Sequence, residues 1–151
     1  MAGELNKLNT FLMLKVPAAW ICGVRIKGID AHTCQVGVRH KWINQNPFNS
    51  MYFAVQAMAA ELSTGALVMK QVQDSGKKVS MLVKSNKSSF HKKAMGKILF
   101  TSSDGALVKQ ALEDAIRTGE GKTFWMSSVG TNEEGVEVSD FSFEWTLKLR
   151  E

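Results

Sequence analysis

Apolar positions recur along this chain with two different periods, and the alternation between the periods divides it into elements. Leu5, Leu8, Phe11 and Leu12 fall at helical spacing over residues 4–15, and Pro17 ends that pattern. A two-residue period follows. Val24–Lys27 alternates, Gly28–His32 carries turn residues, and Cys34, Val36, Val38, His40 and Trp42 share one face of a second strand. The opposite face carries Gln35, Arg39 and Lys41, as expected of a half-buried antiparallel hairpin.

A polar loop, Asn44–Ser50, contains Pro47 and leads into a helix expected to reach about Gln73 and to stop before Gly76. Its ~24 residues would span roughly 36 Å. Over its first two-thirds it is apolar on nearly every side, with Met51, Tyr52, Phe53, Val55, Met58, Leu62, Leu67 and Val68 separated by alanines. A helix with that pattern requires enclosure. Strands are predicted at Val79–Phe90 and Ala94–Ser102, an amphipathic helix at Asp104–Thr118, and strands at Lys122–Val129 and Val136–Leu149 around a turn at Asn132–Gly135. In the last strand Val136 and Val138 are in phase with each other but not with Phe141, Phe143, Trp145, Leu147 and Leu149. A β-bulge near Ser139–Asp140 would absorb the slip. Hairpin-length links between most strands predict an α+β fold with an antiparallel sheet.

A length of 151 residues with no linker-like segment fits one domain over 1–151. The apolar run Phe11–Leu14 is too short for a secretory signal, which needs roughly 7–15 apolar residues. Gln56, Glu61, Ser63, Thr64 and Gly65 argue against a membrane span in the long helix. In the hairpin register Cys34 would face about Lys27 rather than Cys22, so no disulfide is expected. Two free thiols suit a cytoplasmic location. His32, His40 and His91 are dispersed and no metal-ligand spacing occurs, nor any phosphate-binding glycine loop.

Charge changes the picture in two places. From Ser75 to Ser103 there is no acidic residue, while Lys77, Lys78, Lys84, Lys87, Lys92, Lys93 and Lys97 all fall inside. Such a stretch is either a solvated strand edge or an anion site, and nucleic acid is the weaker form of the latter because no binding motif accompanies it. Glu61 is the only charged residue between Trp42 and Met69. It reads either as a carboxylate at the sheet's rim, paired with a lysine, or as a desolvated general base or nucleophile.

A polar Asn46–Pro47 loop, then Tyr52–Phe53–Ala54 opening a buried helix, then Glu61, resembles the hotdog-fold thioesterase superfamily over about residues 20–149. The likeness is to the branch of phenylacetyl-CoA and hydroxybenzoyl-CoA thioesterases. It implies an antiparallel sheet wrapped around one long central helix, with the N-terminal helix and the Asp104–Thr118 helix as additions. It further implies Glu61 as catalytic carboxylate, Asn46 as loop amide and the Phe53 backbone N–H as oxyanion donor. The family's His-Gly-Gly is replaced here by Tyr52–Phe53–Ala54, which favours binding over catalysis. Asn46 also suits plain turn chemistry, and Tyr52, Met51 and Met58 serve either as groove lining or as core. Lys87, His91, Lys92 and Lys93 fall where the fold often meets the nucleotide end of coenzyme A, which is part of the substrate rather than a cofactor. Phe53 and Glu61 stand roughly 12 Å apart along one helix, so two subunits would have to share a site. The resulting expectation is a homodimeric acyl-CoA thioesterase, or a dimer of dimers. The alternatives are a non-catalytic acyl-CoA-binding hotdog protein and a nucleic-acid-binding module.

Overall fold

The computed structural model describes residues 2–150. Helix α1 (Ala2–Lys15) and a short α2 (Pro17–Ile21), which begins on the proline, precede the hairpin β1 (Arg25–Ile29) and β2 (Cys34–Arg39). A 3-10 turn at Trp42–Asn44 leads through the polar loop to α3 (Phe53–Ser75). Then come β3 (Val79–Phe90), β4 (Lys97–Ser102), α4 (Gly105–Thr118), β5 (Lys122–Thr131) and β6 (Glu137–Leu149). The six strands form one antiparallel sheet in the order β1-β2-β4-β5-β6-β3, so β1 and β3 are its edges.

Helix α3 ends where Gly76 takes the left-handed conformation, φ 68°, that favours glycine. Three buried polar ties hold it on the sheet. Ser63 and Ser128 hydroxyls meet at 2.7 Å, Trp145 Nε1 donates to Thr64 Oγ1 at 3.0 Å, and the Ser139 hydroxyl donates to Gln56 Oε1 at 2.8 Å. These contacts fix the helix's rotation, because each would be lost into an apolar interior if the helix turned. Around them pack Val55, Ala59, Leu67 and Val68 of α3 and Val36, Val38, Ile98, Phe100, Met126, Phe141, Phe143 and Leu147 of the sheet.

Four details differ from the sequence-based expectation. The hairpin is tighter, since Cys34 pairs with Ile29 rather than Lys27; Asp30 Oδ1 closes the turn by accepting the N–H groups of His32 and Thr33 at 2.8 Å. Cys22 and Cys34 are free, as expected. Trp42 is not on a strand but in the 3-10 turn, 80% exposed. In β6 the ladder runs regularly through Ser139 and Asp140, and the irregularity sits earlier, where Gly130 pairs with Ser139 but Thr131 with Glu137. Val138 is the extra residue. It and Ser139 are both buried, and this shift of phase is what the sequence displayed. Finally, one chain does not enclose α3 completely: Ala54, Ala57, Met58, Glu61 and Leu62, at spacings of three and four, form a half-exposed stripe on one flank.

Candidate functional site

Two concave regions flank the half-exposed stripe. The first, about 530 Å³, lies at the N-terminal end of α3, between the polar loop and the end of β3. It brings together Asn46, Met51, Tyr52, Phe53, His91, Lys92 and Lys93 from the sequence-predicted set, and adds Gln56 and Phe90. The second, about 270 Å³, is apolar and contains Glu61 and Met58 with Leu12, Val16 and Leu62. Lys87 joins neither, its ammonium lying 4.6 Å over the ring of Trp125.

In the first region Asn46 is a loop organiser. Its Oδ1 accepts the N–H groups of Phe48 (2.9 Å) and Ser50 (3.2 Å), and its Nδ2 donates to the Ser50 hydroxyl at 3.0 Å. Turn chemistry therefore employs this amide. The loop delivers Tyr52 to the N-cap of α3, extended at φ −61° and ψ 135°, with no side-chain cap. The N–H groups of Phe53 and Ala54 find no acceptor among the described residues. An uncapped helix start with free N–H groups is a site for developing negative charge. The Phe53 side chain points outward, 55% exposed, and meets Tyr52 edge-on at 5.2 Å and Phe90 at 6.2 Å between ring centroids. The bulk that replaces the family's glycine is thus turned into an aromatic rim rather than back over the helix end.

Glu61 is half-buried, and no hydrogen bond or ion pair reaches its carboxylate among the described residues. Desolvation by burial raises its pKa above the ordinary carboxylate range. Among the described residues no lysine pairs with it, as the inert ion pair at the sheet's rim would require. Gly65, one turn on, makes room for this side chain. A Cβ there would stand 3.3 Å from Glu61 Oε1 and 3.2 Å from the Trp145 ring.

Other groups escaped sequence reasoning because topology assembles them. The bulge at Val138 places Glu137 and Asp140 on one face, and His91 Nε2 lies 2.6 Å from Asp140 Oδ2 and 3.6 Å from Glu137 Oε1. On the sheet face turned from α3, Arg25, Lys27, Arg39, Lys41 and Lys97 surround a groove of about 520 Å³. Most of that charge comes from β1 and β2 rather than from the lysine-rich stretch.

No helix among the described residues is long and apolar enough to cross a membrane. A family model described as Domain of unknown function (DUF4442) matches residues 6–147. A sequence comparison with curated proteins finds no match. Among solved structures, a protein of unknown function from Pseudomonas aeruginosa, described as a probable thioesterase, superposes with a TM-score of 0.82 at 22% identity over 96% of both chains. A protein of unknown function from Chlorobaculum tepidum gives 0.83 at 15%, covering 96% of this chain and 94% of its own. A thioesterase from Staphylococcus aureus gives 0.68 at 9%, covering 87% and 98%. The last was crystallised with a Gln and, separately, a Glu replaced by Ala, and the two lie as far apart in sequence as Asn46 and Glu61 do here. These likenesses establish the fold: an α+β hotdog, the sheet curved around α3, as the resemblance implied.

Proposed function

Since this chain belongs to the DUF4442 family, whose model spans nearly all of it, we propose that it is an acyl-CoA thioester hydrolase whose site is completed across a homodimer. The observation that carries the reading is Glu61, a desolvated, unpartnered carboxylate beside an apolar cavity. Such a group is costly unless chemistry uses it. The description of structural neighbours as thioesterases supports it, as does the matching spacing of the altered Gln and Glu in the Staphylococcus protein.

Glu61 takes a proton from water, and the oxygen attacks the thioester carbonyl. The carbonyl oxygen gains charge against the free N–H groups of Phe53 and Ala54 at the partner's helix start. The oxyanion then re-forms the carbonyl as the C–S bond breaks, and Glu61 returns its proton to the sulfur, so that coenzyme A leaves as the thiol. One chain keeps these groups roughly 12 Å apart along α3, which is why the reading includes two copies, either as a dimer or as a dimer of dimers. His91, Lys92 and Lys93 at the groove rim would meet the phosphates of coenzyme A, with Tyr52 against the pantetheine arm and Met51, 1% exposed, packed beneath it. No cofactor takes part, and the two free thiols suit a cytoplasmic setting.

The test is hydrolysis of a panel of acyl-CoAs by wild type and Glu61→Gln, with light scattering for mass. Turnover should fall by roughly 10²–10⁴-fold in a protein of two or four times the chain's mass. A variant within threefold of wild type, or a monomeric active enzyme, would refute the mechanism. The absence at Tyr52–Phe53–Ala54 of the His-Gly-Gly that the resemblance implies supports a second reading, acyl-CoA binding without turnover. Tight binding with no thiol released by wild type identifies it. Salt-sensitive binding of generic DNA would instead point to the nucleic-acid alternative.

A further inference from the structure

We propose that the space between α1 and α3 is a channel for the acyl group, and that the substrate's acyl group is an unbranched aliphatic chain of about ten carbons rather than an aromatic ring. This rests on the thioester reading, which places the reacting carbonyl at Glu61.

The channel follows from how α1 is attached. Asn9 clamps the helix to the edge strand, its Nδ2 donating to the Ile26 carbonyl at 3.0 Å and its Oδ1 accepting the Ile26 N–H at 2.9 Å. This satisfies an edge that would otherwise be open and commits α1 to β1 instead of α3. The space left beside α3 is not filled. It holds the Glu61 cavity of about 270 Å³ and a second of about 220 Å³, and Leu12, Val16 and Leu62 line both. Each is smaller than the roughly 300–1,000 Å³ of common ligand pockets; we take the shared walls as the point where they join, and together they fall within that range. An apolar cleft left open to water is unfavourable until something covers it.

Shape and chemistry select the occupant. From Glu61 the slot passes Ala66 and reaches Met69 and Lys70. That is roughly 12 Å along the helix axis, the reach of about ten carbons, since a zigzag of ~1.5 Å bonds advances about 1.3 Å per bond. The walls are mostly aliphatic. The far end is polar, where Lys70 stands 4.0 Å from Glu4 and 3.8 Å from Asp74, and stops the chain. An aryl group would fill the first cavity and leave the second empty.

Two non-hydrolysable thioethers, S-dodecyl-CoA and S-butyl-CoA, separate the possibilities by calorimetric titration. Wild type should bind the dodecyl compound more tightly, by roughly fourfold per additional methylene that enters the slot. Ala66→Leu and Met69→Trp, about one turn apart on α3, fill the slot at two depths, and each should weaken dodecyl binding roughly tenfold or more while leaving butyl binding within about twofold. Either variant suffices if the other fails to fold. Equal affinity of wild type for the two compounds, dodecyl binding unmoved by a folded variant, or tighter binding of an S-phenylethyl analogue overturns the channel. In those cases hydrolysis of butyryl-CoA still tests the thioester reading on its own. Binding of none of the three compounds overturns both.

Discussion

Gly65→Ala sets two effects of similar size against each other, and the structure decides the sign. Replacing a glycine in a helix interior ordinarily stabilises by about 1 kcal/mol, through backbone entropy. Gly65 lies well inside α3, and its φ is not in the left-handed region, so that gain applies in full. Against it, the new Cβ would stand 3.2 and 3.3 Å from Trp145 Cζ2 and Cη2, and 3.3 Å from Glu61 Oε1. The Glu61 side chain can swing away. Trp145 cannot: it is 3% exposed, its indole N–H is held by Thr64, and its strand is paired with Val83 on one side and Phe124 on the other. Relief therefore requires α3 to lift from the sheet, straining the Ser63–Ser128 and Gln56–Ser139 ties as well. Overpacking of this kind costs about 1–3 kcal/mol, leaving a net loss of about 1 kcal/mol. For a chain of this length the melting temperature should fall by roughly 2–4 °C. Urea unfolding at neutral pH reads the same quantity through the midpoint, with an unchanged slope. An increase of about 1 kcal/mol, the bare helix-propensity value, would show that Trp145 yields freely and that the close approach at Gly65 is not a constraint.

Glu61→Gln should also change the pH dependence of stability. Its folded-state pKa is raised by desolvation, so its contribution is present below the unfolded pKa and lost as pH rises through the folded one. The variant should thus be the more stable protein at alkaline pH and lose that advantage as pH falls toward 4.5; parallel stability curves for the two proteins would contradict the burial. Asn46→Ala removes a hub that accepts two backbone N–H groups and should cost about 1–3 kcal/mol. Asn46→Asp, which keeps both acceptors, should recover most of that, and an aspartate as unstable as the alanine would show that the donated bonds dominate.

Much of this was legible in the sequence, and the failures share a cause. Element order, the extent of β3, the amphipathic α4 and the unusual Glu61 all follow from short-range pattern, where period and a lone charge carry the signal. The bulge in β6 was detectable as a slip of phase but not its position, because Val138 and Ser139 are both buried and only the partner strands reveal which residue is extra. Trp42 kept the strand's phase yet left the sheet, since Asn44 Nδ2 ties the chain to the carbonyls of Cys22 and Arg39 and forces a turn. Neither the His91–Asp140–Glu137 group nor the basic outer groove has any local signature. Each exists only because strands distant in sequence become neighbours. The α1–α3 slot was hidden for the same reason: nothing near Asn9 indicates that its amide would take the Ile26 backbone and hold the helix away from α3.

The arrangement of exposed apolar surface bears on why one chain holds only half of the proposed site. Phe53 is half-exposed at the helix start, and Phe90, at the end of β3, lies 6.2 Å from it. The aromatic rim of the first groove therefore runs directly into the free edge of a 12-residue strand. A long unpaired edge is an aggregation hazard that proteins cover, bend or charge. Here Lys84 and Lys87 charge it and Lys84 is displaced in a bulge, but Leu82 remains 65% exposed and the remainder of the ladder is regular. Edge pairing with a second copy would satisfy the strand's free N–H and carbonyl groups and bury Phe53, Tyr52 and Phe90. In the proposed dimer the same contact carries the helix-start N–H groups toward the partner's Glu61. Glu61 is then only partly desolvated in the isolated chain, and full desolvation comes with assembly. Dissociation by dilution should then lower the apparent pKa of Glu61 together with activity, whereas a carboxylate whose titration is independent of protein concentration would separate the two.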